Sequence, residues 1–170
     1  FEEKYNEGAC KFLTQISHRE LVSLDLDGKN SEEILEKIAR GTRQKIKSKG
    51  AEYSIIKSYN AQFYPLYESL VRAKNFSSAY HYSESALEEL GQQDNIYFIG
   101  VEVEGQLLSA SFFRLNKSGS QRRMDYLLSA SLPQSSSKWT VKVLWEGIYL
   151  ALEKSCKSFN FGGGVVDGDS

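Results

Sequence analysis

The stretch Asp125-Tyr126-Leu127-Leu128-Ser129-Ala130-Ser131 sets a carboxylate beside a phenol and closes on two hydroxyls. In an extended strand, neighbours point to opposite faces. Asp125 and Tyr126 are therefore expected on opposite sides of a strand, with the hydroxyls where it ends. Either group can position a nucleophile or move a proton. An Asp125 that only pairs with Arg122, Arg123 or a cation on a neighbouring strand accounts for the acid equally well. A second signal is basic. Lys37, Arg40, Arg43, Lys45, Lys47 and Lys49 follow one another with no acid between them. Such a run can meet the phosphates of a nucleotide, a coenzyme tail or an RNA. It also fits a solvated helix end, where cations suit the negative pole of the helix dipole.

The remaining candidates are weaker. Gly162-Gly163-Gly164 follows a strand-like segment and suits either a backbone nest near an anion, close chain packing, or a plain surface loop. No Lys-Ser or Lys-Thr follows it, and it lacks the spacing of a dinucleotide fingerprint. Asp167 and Asp169, with no histidine nearby, read as turn-forming acids rather than metal ligands. His18 and His81 are the two imidazoles, and neither stands in a hydrolase-triad or zinc spacing. His81, in Tyr80-His81-Tyr82, either lines a cleft or packs at a helix start.

These groups must be held by a chain of 170 residues, 41% hydrophobic and 25% charged, with a formal net charge of -1. That length suits one domain with a real core, and 13 Gly with 2 Pro are too few for a disordered or collagenous polymer. Near-neutral charge argues against a protein that binds nucleic acid over its whole surface. Cys10 and Cys156 are far apart, so neither redox pairs nor zinc chemistry are indicated, and a reducing, cytoplasmic setting is expected. No apolar run approaches the ~18 residues that cross a bilayer.

Periodicity supplies the elements. Residues 20–26 alternate as a strand and Asp27-Gly28 turns the chain. Ser31 is expected to cap a helix whose stripe is Ile34, Leu35 and Ile38, continued by Ile46 after Gly41 and stopped at Gly50. Residues 51–57 form a second strand. Residues 60–74 form an amphipathic helix in which Pro65 marks a kink or a late start. A short helix over 83–90 is closed by Gly91. Three strands follow: 95–104, the Glu104-Gly105 turn, 106–115, a Lys-Ser-Gly-Ser loop, and 121–129. A long helix covers about 137–155, and a last strand covers 157–161. Phe1, Tyr5 and Phe12 can form one face of a short helix at the start. The order predicts an α+β domain with a mixed, mostly antiparallel central sheet.

Several of these segments together resemble the GNAT-fold transferases of the Fem type, which build peptidoglycan cross-bridges, and relatives often labelled acetyltransferases. The resemblance lies in Val22-Ser23-Leu24-Asp25-Leu26, Arg40-Gly41-Thr42-Arg43-Gln44-Lys45-Ile46-Lys47, Phe63-Tyr64-Pro65-Leu66-Tyr67, Tyr126 to Ser131, and Phe159-Asn160-Phe161-Gly162-Gly163-Gly164. It covers nearly the whole chain and matches the family's second domain. The chain departs from that pattern at Met124-Asp125-Tyr126, where the family usually has a His-rich strand.

The resemblance implies a GNAT-like fold over residues 1–170, a piece of a longer protein with a preceding GNAT-like domain. It implies an acyl- or aminoacyltransferase, with acyl-CoA or aminoacyl-tRNA as donor and a cell-envelope, sugar or peptide precursor as acceptor. A non-catalytic GNAT-like binding module of a larger protein is the alternative. In such a fold two central strands splay and the activated acyl group lies between them, its carbonyl against backbone N–H groups. Asp125 and Tyr126 would then handle protons or orient substrate. Ser129, Ser131, Ser136, Ser137 and Lys138 would surround the donor, with Arg40 and Arg43 on its phosphates. His81 and Gly162, Gly163 and Gly164 would lie near the acceptor. Direct acyl transfer needs no metal. Coenzyme-A users usually carry a Gly-x-Gly or Gly-x-Ala loop where this chain has Leu132-Pro133-Gln134-Ser135-Ser136-Ser137-Lys138.

Overall fold

A computed structural model describes residues 21–48, 53–133 and 135–163. The elements run β1 (Leu21–Asp25), α1 (Ser31–Lys37), α2 (Arg40–Lys47), β2 (Ser54–Ile56), α3 (Phe63–Ala73), α4 (Glu84–Gly91), β3 (Ile96–Val103), β4 (Gln106–Ser118), β5 (Gln121–Ser131), α5 (Ser137–Glu153) and β6 (Ser158–Gly163). The strands form one sheet in the order β1-β6-β5-β4-β3-β2. Every neighbouring pair is antiparallel except β5 and β6, which run parallel. The expected α+β architecture with a mixed, mostly antiparallel sheet is thus present.

The meander is built from local signals. Glu104 and Gly105 both take positive φ, 51° and 78°, the conformation a two-residue hairpin turn requires. β4 runs on to Ser118, so the loop expected from Lys117 shrinks to Gly119 and Ser120, with Ser118 opposite Gln121. β5 likewise reaches Ser131 rather than stopping at Ser129.

Two expectations need correction. The cap of α1 is Asn30, not Ser31. Its side chain accepts from the N–H groups of Glu32 and Glu33, both at 3.0 Å, while Glu33 accepts from the Asn30 N–H at 2.8 Å. This is a reciprocal capping box. The single helix expected over 31–50 is two helices, because Ile38 and Ala39 turn to extended ψ values of 139° and 140°. In one continuous helix, Ile46 would sit about a third of a turn off the Ile34 face. The break lets Ile34 enter the core while α2 packs along α5. Gly91 ends α4 for reasons of space: a Cβ there would stand 3.0 Å from Tyr59 Cβ. Pro65 lies in the first turn of α3, so the helix starts late and does not kink. The helix suggested by Phe1, Tyr5 and Phe12 and the stop at Gly50 lie outside the described residues.

The sheet separates two cores. On one face Phe113, Met124, Phe159 and Leu115 pack under α5 with Val143, Ile148 and Ala151, and Ile34 joins them. On the other, Phe98, Phe112, Ala110 and Ala130 pack under α3 and α4 with Phe63, Leu66, Tyr67 and Leu87. α5 lies flush on β4 at Gly147, where a Cβ would run into the Phe113 ring.

Candidate functional site

The sheet opens between its two parallel strands. β5 and β6 pair only at Arg123 with Ser158, Met124 with Phe159 and Asp125 with Asn160. Beyond that point β5 stays with β4 as far as Ser131, and β6 stays with β1, where Leu21 faces Gly163. Among the described residues, Tyr126–Ser131 therefore have a strand neighbour on one side only. Their backbone groups on the other side face the gap.

Irregularities in both strands sit at the fork. Phe112 faces Leu128 and Phe113 faces Tyr126, so Leu127 is an extra residue in β5. In β6 an extra residue falls between Asn160 and Gly163 opposite Ser23 and Leu21. Gly162 takes φ +89° there, and its N–H donates to Asn160 Oδ1 at 2.9 Å. A Cβ on Gly162 would meet nothing within 4 Å, so conformation and not space demands the glycine. Bulges bend a strand and re-aim its side chains. Here they put Leu127 and Leu128 both on the α3 side, and they leave Tyr126 and Ser129 as successive residues on the α5 side.

The hydroxyls near the fork are linked. Tyr126 donates to Ser129 Oγ and packs on Phe113 with ring centroids 5.9 Å apart. Ser131 Oγ lies 2.8 Å from Ser109 Oγ and 2.9 Å from Thr140 Oγ1. Ser109 and Ser111 are fully buried, and among the described residues Ser111 Oγ has no hydrogen-bond partner. Two identical Ser-Ala-Ser triplets thus face each other across β4 and β5, Ser109 with Ser131 and Ser111 with Ser129. Ser109, Ser111 and Thr140 were missed in the sequence. The repeated triplet in adjacent strands of one meander was the signal for two of them.

Asp125 sits at the apex of the fork but is not free. Arg123 Nε donates to Oδ1 at 2.8 Å, Arg114 Nη2 lies 3.6 Å from Oδ2, and Asn116 Nδ2 donates to the same oxygen. The carboxylate is buried and lies on the opposite face from Tyr126. This is the ion-pairing alternative that the sequence left open.

The basic run and the start of α5 come together. Ser136 caps α5, its Oγ accepting from the Lys138 N–H at 3.4 Å, and Lys45 Nζ donates to Ser137 Oγ at 2.9 Å. Lys138 folds its ammonium over the Trp139 ring, 4.2 Å from the centroid. Arg40 and Arg43 line an open hollow of about 430 Å³ with Gln44, Lys47 and Ser48. Among the described residues none of Arg40, Arg43, Lys45 and Lys47 forms an ion pair. Lys142 was not foreseen. Buried in α5, it donates to Ile46 O at 3.0 Å and Tyr53 Oη at 3.2 Å, with the Tyr53 ring 4.6 Å away. It thereby clamps the C-terminal end of α2 to α5. One turn on, burial pushes the Glu146 carboxyl up, while Lys57 and Lys142 oppose the rise.

The other sequence candidates fall elsewhere. His81 is exposed in the loop after α3, with Nε2 3.1 Å from Phe76 O, on the side of the sheet away from α5. Gly162 and Gly163 form the end of β6 at the fork. Gly164, Asp167, Asp169, His18 and Cys10 lie outside the described residues. Cys156 is buried, and burial pushes its thiol up. Among the described residues no cluster of acids, histidines and cysteines could hold a metal ion, and no helix is long and apolar enough to cross a membrane.

Solved structures share this fold. FemX superimposes with a TM-score of 0.70 at 15% identity, covering 93% of this chain and 57% of its own. The fold is GNAT-like. An aminoglycoside acetyltransferase from an uncultured soil metagenomic sample, solved with sisomicin and with trehalose, matches with a TM-score of 0.53 at 16% identity, over 69% of this chain and 80% of that one. The C-terminal domain of a putative lysylphosphatidylglycerol synthetase from Agrobacterium fabrum matches at 0.52 and 13% identity, over 89% and 48%. The chain thus spans just over half the length of FemX. No protein-family model and no curated protein matches it by sequence.

Proposed function

We propose that this GNAT-like chain is the acyl-transferring part of a larger protein, moving an activated acyl or aminoacyl group to an amine or hydroxyl of a sugar-bearing or cell-envelope precursor. The observation that carries the reading is the fork. Among the described residues, Tyr126–Ser131 present an unpaired strand edge beside a row of hydroxyls, bounded on the far side by the Gly162 bulge. A donor lying along that edge would meet backbone N–H groups in place of a missing strand. An N–H aimed at the acyl carbonyl would stabilise the oxyanion that forms when the acceptor attacks. Holding both reactants in one slot supplies the rest of the rate gain.

Each neighbouring group then has a task. Tyr126, beside the slot, would give its proton to the leaving group, and the proton that the acceptor loses on attack would return to the phenolate through water, restoring the phenol. Ser129, which accepts the Tyr126 hydrogen bond, orients the phenol. Asp125, tied to Arg114, Asn116 and Arg123, fixes the apex and acts as a positioning residue. The positive end of the α5 dipole suits a donor phosphate. Ser136, Ser137 and Lys138 would serve there, with Arg40, Arg43 and Lys45 beside them. This supports a phosphate-bearing donor, acyl-CoA or aminoacyl-tRNA. Gly162 and Gly163 lie on the opposite bank, where the acceptor would enter.

The test is donor binding and turnover by the full-length protein with acetyl-CoA, aminoacyl-tRNA and nucleotide-sugar acceptors. Tyr126→Phe should lower turnover about 10²-fold with donor affinity retained. Arg43→Glu combined with Lys45→Glu should weaken donor binding. Absence of both binding and turnover overturns the proposal. The sequestered Asp125 favours one second reading, a non-catalytic binding module, for which Tyr126→Phe would leave full-length activity unchanged.

A further inference from the structure

Exposed rings gather at one place far from the fork. Among the described residues the large apolar side chains left in solvent include Phe76, Tyr80 and Tyr82, at 39%, 53% and 43% exposure. All three stand in the loop between α3 and α4, and every residue from Arg72 to Ser85 is exposed. Rings so placed add little to the core, yet the loop is firmly held. α3 closes on Asn75 at φ 49°, with Asn75 N–H donating to Arg72 O and Phe76 N–H to Val71 O at 3.1 Å. That pair of hydrogen bonds at a helix end fixes where the next residue points. The Tyr67 hydroxyl reaches out of the core to Tyr80 O at 2.7 Å, and the Tyr67 ring lies 6.0 Å from that of Tyr82. His81 Nε2 stands 3.1 Å from Phe76 O, and Phe76 and Tyr80 pack at 5.4 Å with their planes 47° apart.

Composition selects the ligand. From Asn75 to Ser83 the loop has no Lys, Arg, Asp or Glu, so nothing in it answers a formal charge. Between the rings stand Ser77, Ser78, His81 and Ser83, an alternation of apolar faces with hydroxyl and imidazole donors and acceptors. A pyranose has matching chemistry. Its C–H bonds, made positive by the ring oxygens, meet the negative face of an aromatic ring, and its hydroxyls meet the polar rim. We infer that the loop over Phe76–Tyr82 is a carbohydrate-binding platform for a neutral hexopyranose, stacked on Tyr80 and flanked by Phe76 and Tyr82. A platform already fixed by Tyr67 and the α3 end loses little freedom when the sugar docks. The inference rests on the acyl-transfer reading only in taking the sugar as part of the acceptor; the binding stands by itself.

The experiment is a titration of the full-length protein, followed by NMR, with the β-1,4-linked tetramer of N-acetylglucosamine and separately with acetyl-CoA. The tetramer should shift resonances of residues 76–82 with millimolar or tighter affinity. Phe76→Ala and Tyr80→Ala should each weaken it about tenfold, a loss on the scale of one aromatic contact. Tyr80→Phe, which keeps the ring, should weaken it far less. Unchanged unfolding midpoints would show that these exposed substitutions leave the fold intact. No shift at about 10 mM tetramer, well above millimolar affinity, overturns the platform, as does ring-dependent adsorption to phosphatidylcholine vesicles without sugar binding. Sugar shifts at 76–82 with no acetyl-CoA or aminoacyl-tRNA binding at the fork would sink acyl transfer and leave the platform standing. Donor shifts without sugar shifts would do the reverse.

Discussion

Beside the opening in the sheet, the two faces of β4 and β5 are made of different matter. Toward α3 they present Ala110, Phe112, Leu128 and Ala130, packed among Phe63, Phe98 and Leu87. Toward α5 the same strands present Ser109, Ser111, Ser129 and Ser131, and the facing helix answers with Thr140. One face buries carbon and gains free energy for every ångström squared removed from water. The other buries hydroxyls, which at best recover by hydrogen bonding what they lost in desolvation. At these positions the α3 face carries stability, while the α5 face, whose apolar core lies further along the strands at Phe113, Leu115 and Met124, gives up apolar burial and gains a row of polar groups beside the opening in the sheet.

Substitutions on the two sides should diverge accordingly. Phe112 is fully buried, with Phe98 at 5.1 Å and Phe63 at 5.2 Å. Phe112→Ala should cost about 3–5 kcal/mol in denaturant unfolding. Ser109→Ala, three residues away on the other face, should stay within about 1 kcal/mol, because Ser131 and Thr140 still bond each other. Equal losses would abolish the contrast. Gly147→Val should cost about 1–3 kcal/mol by driving α5 off Phe113, read as a lower thermal midpoint.

Smaller effects sharpen the picture at the fork and the clamp. Gly162→Ala must hold an L-residue at φ +89°, a penalty of about 1–2 kcal/mol. It should also perturb amide shifts in β6 and β1 more than in β4. Lys142→Met removes the donors to Ile46 O and Tyr53 Oη. Hydrogen exchange should then speed up in α2 while the centre of α5 stays protected, with a net cost of about 1 kcal/mol. The smallest effect is electrostatic. Burial raises the folded-state value of Glu146 above its unfolded one, so the folded protein holds the extra proton. That contribution is present below the unfolded value and is lost as pH rises through the folded one. Glu146→Gln should flatten the fall in stability over that window, which unfolding curves at stepped pH would reveal.

Much of the framework was legible because its signals are local. The period-two alternation of β3 to β5, the Glu104-Gly105 turn and the apolar stripes of α3 and α5 each lie within a few residues of what they specify. The break at Ile38 was not legible, since it turns α2 onto α5, where Lys142 takes the Ile46 carbonyl. Nothing in the sequence around Lys142 separates it from a surface cation on a helix. Only the approach of α2 and Tyr53 makes it a buried clamp. Asp125 remained ambiguous in sequence because its partners Arg114 and Asn116 lie on the neighbouring strand.

The amino-acid order alone determined most of the strands and helices and the chemical types assembled here: paired Ser-Ala-Ser triplets, an acid-free basic run and a charge-free aromatic loop. Only the tertiary structure decided that β6 would leave β5 after Asn160 to follow β1. That choice depends on pairing between segments more than a hundred residues apart and on bulges whose cost is set by both partners. A period of two can specify a strand, but it holds no information about which neighbour the strand keeps and where it lets go.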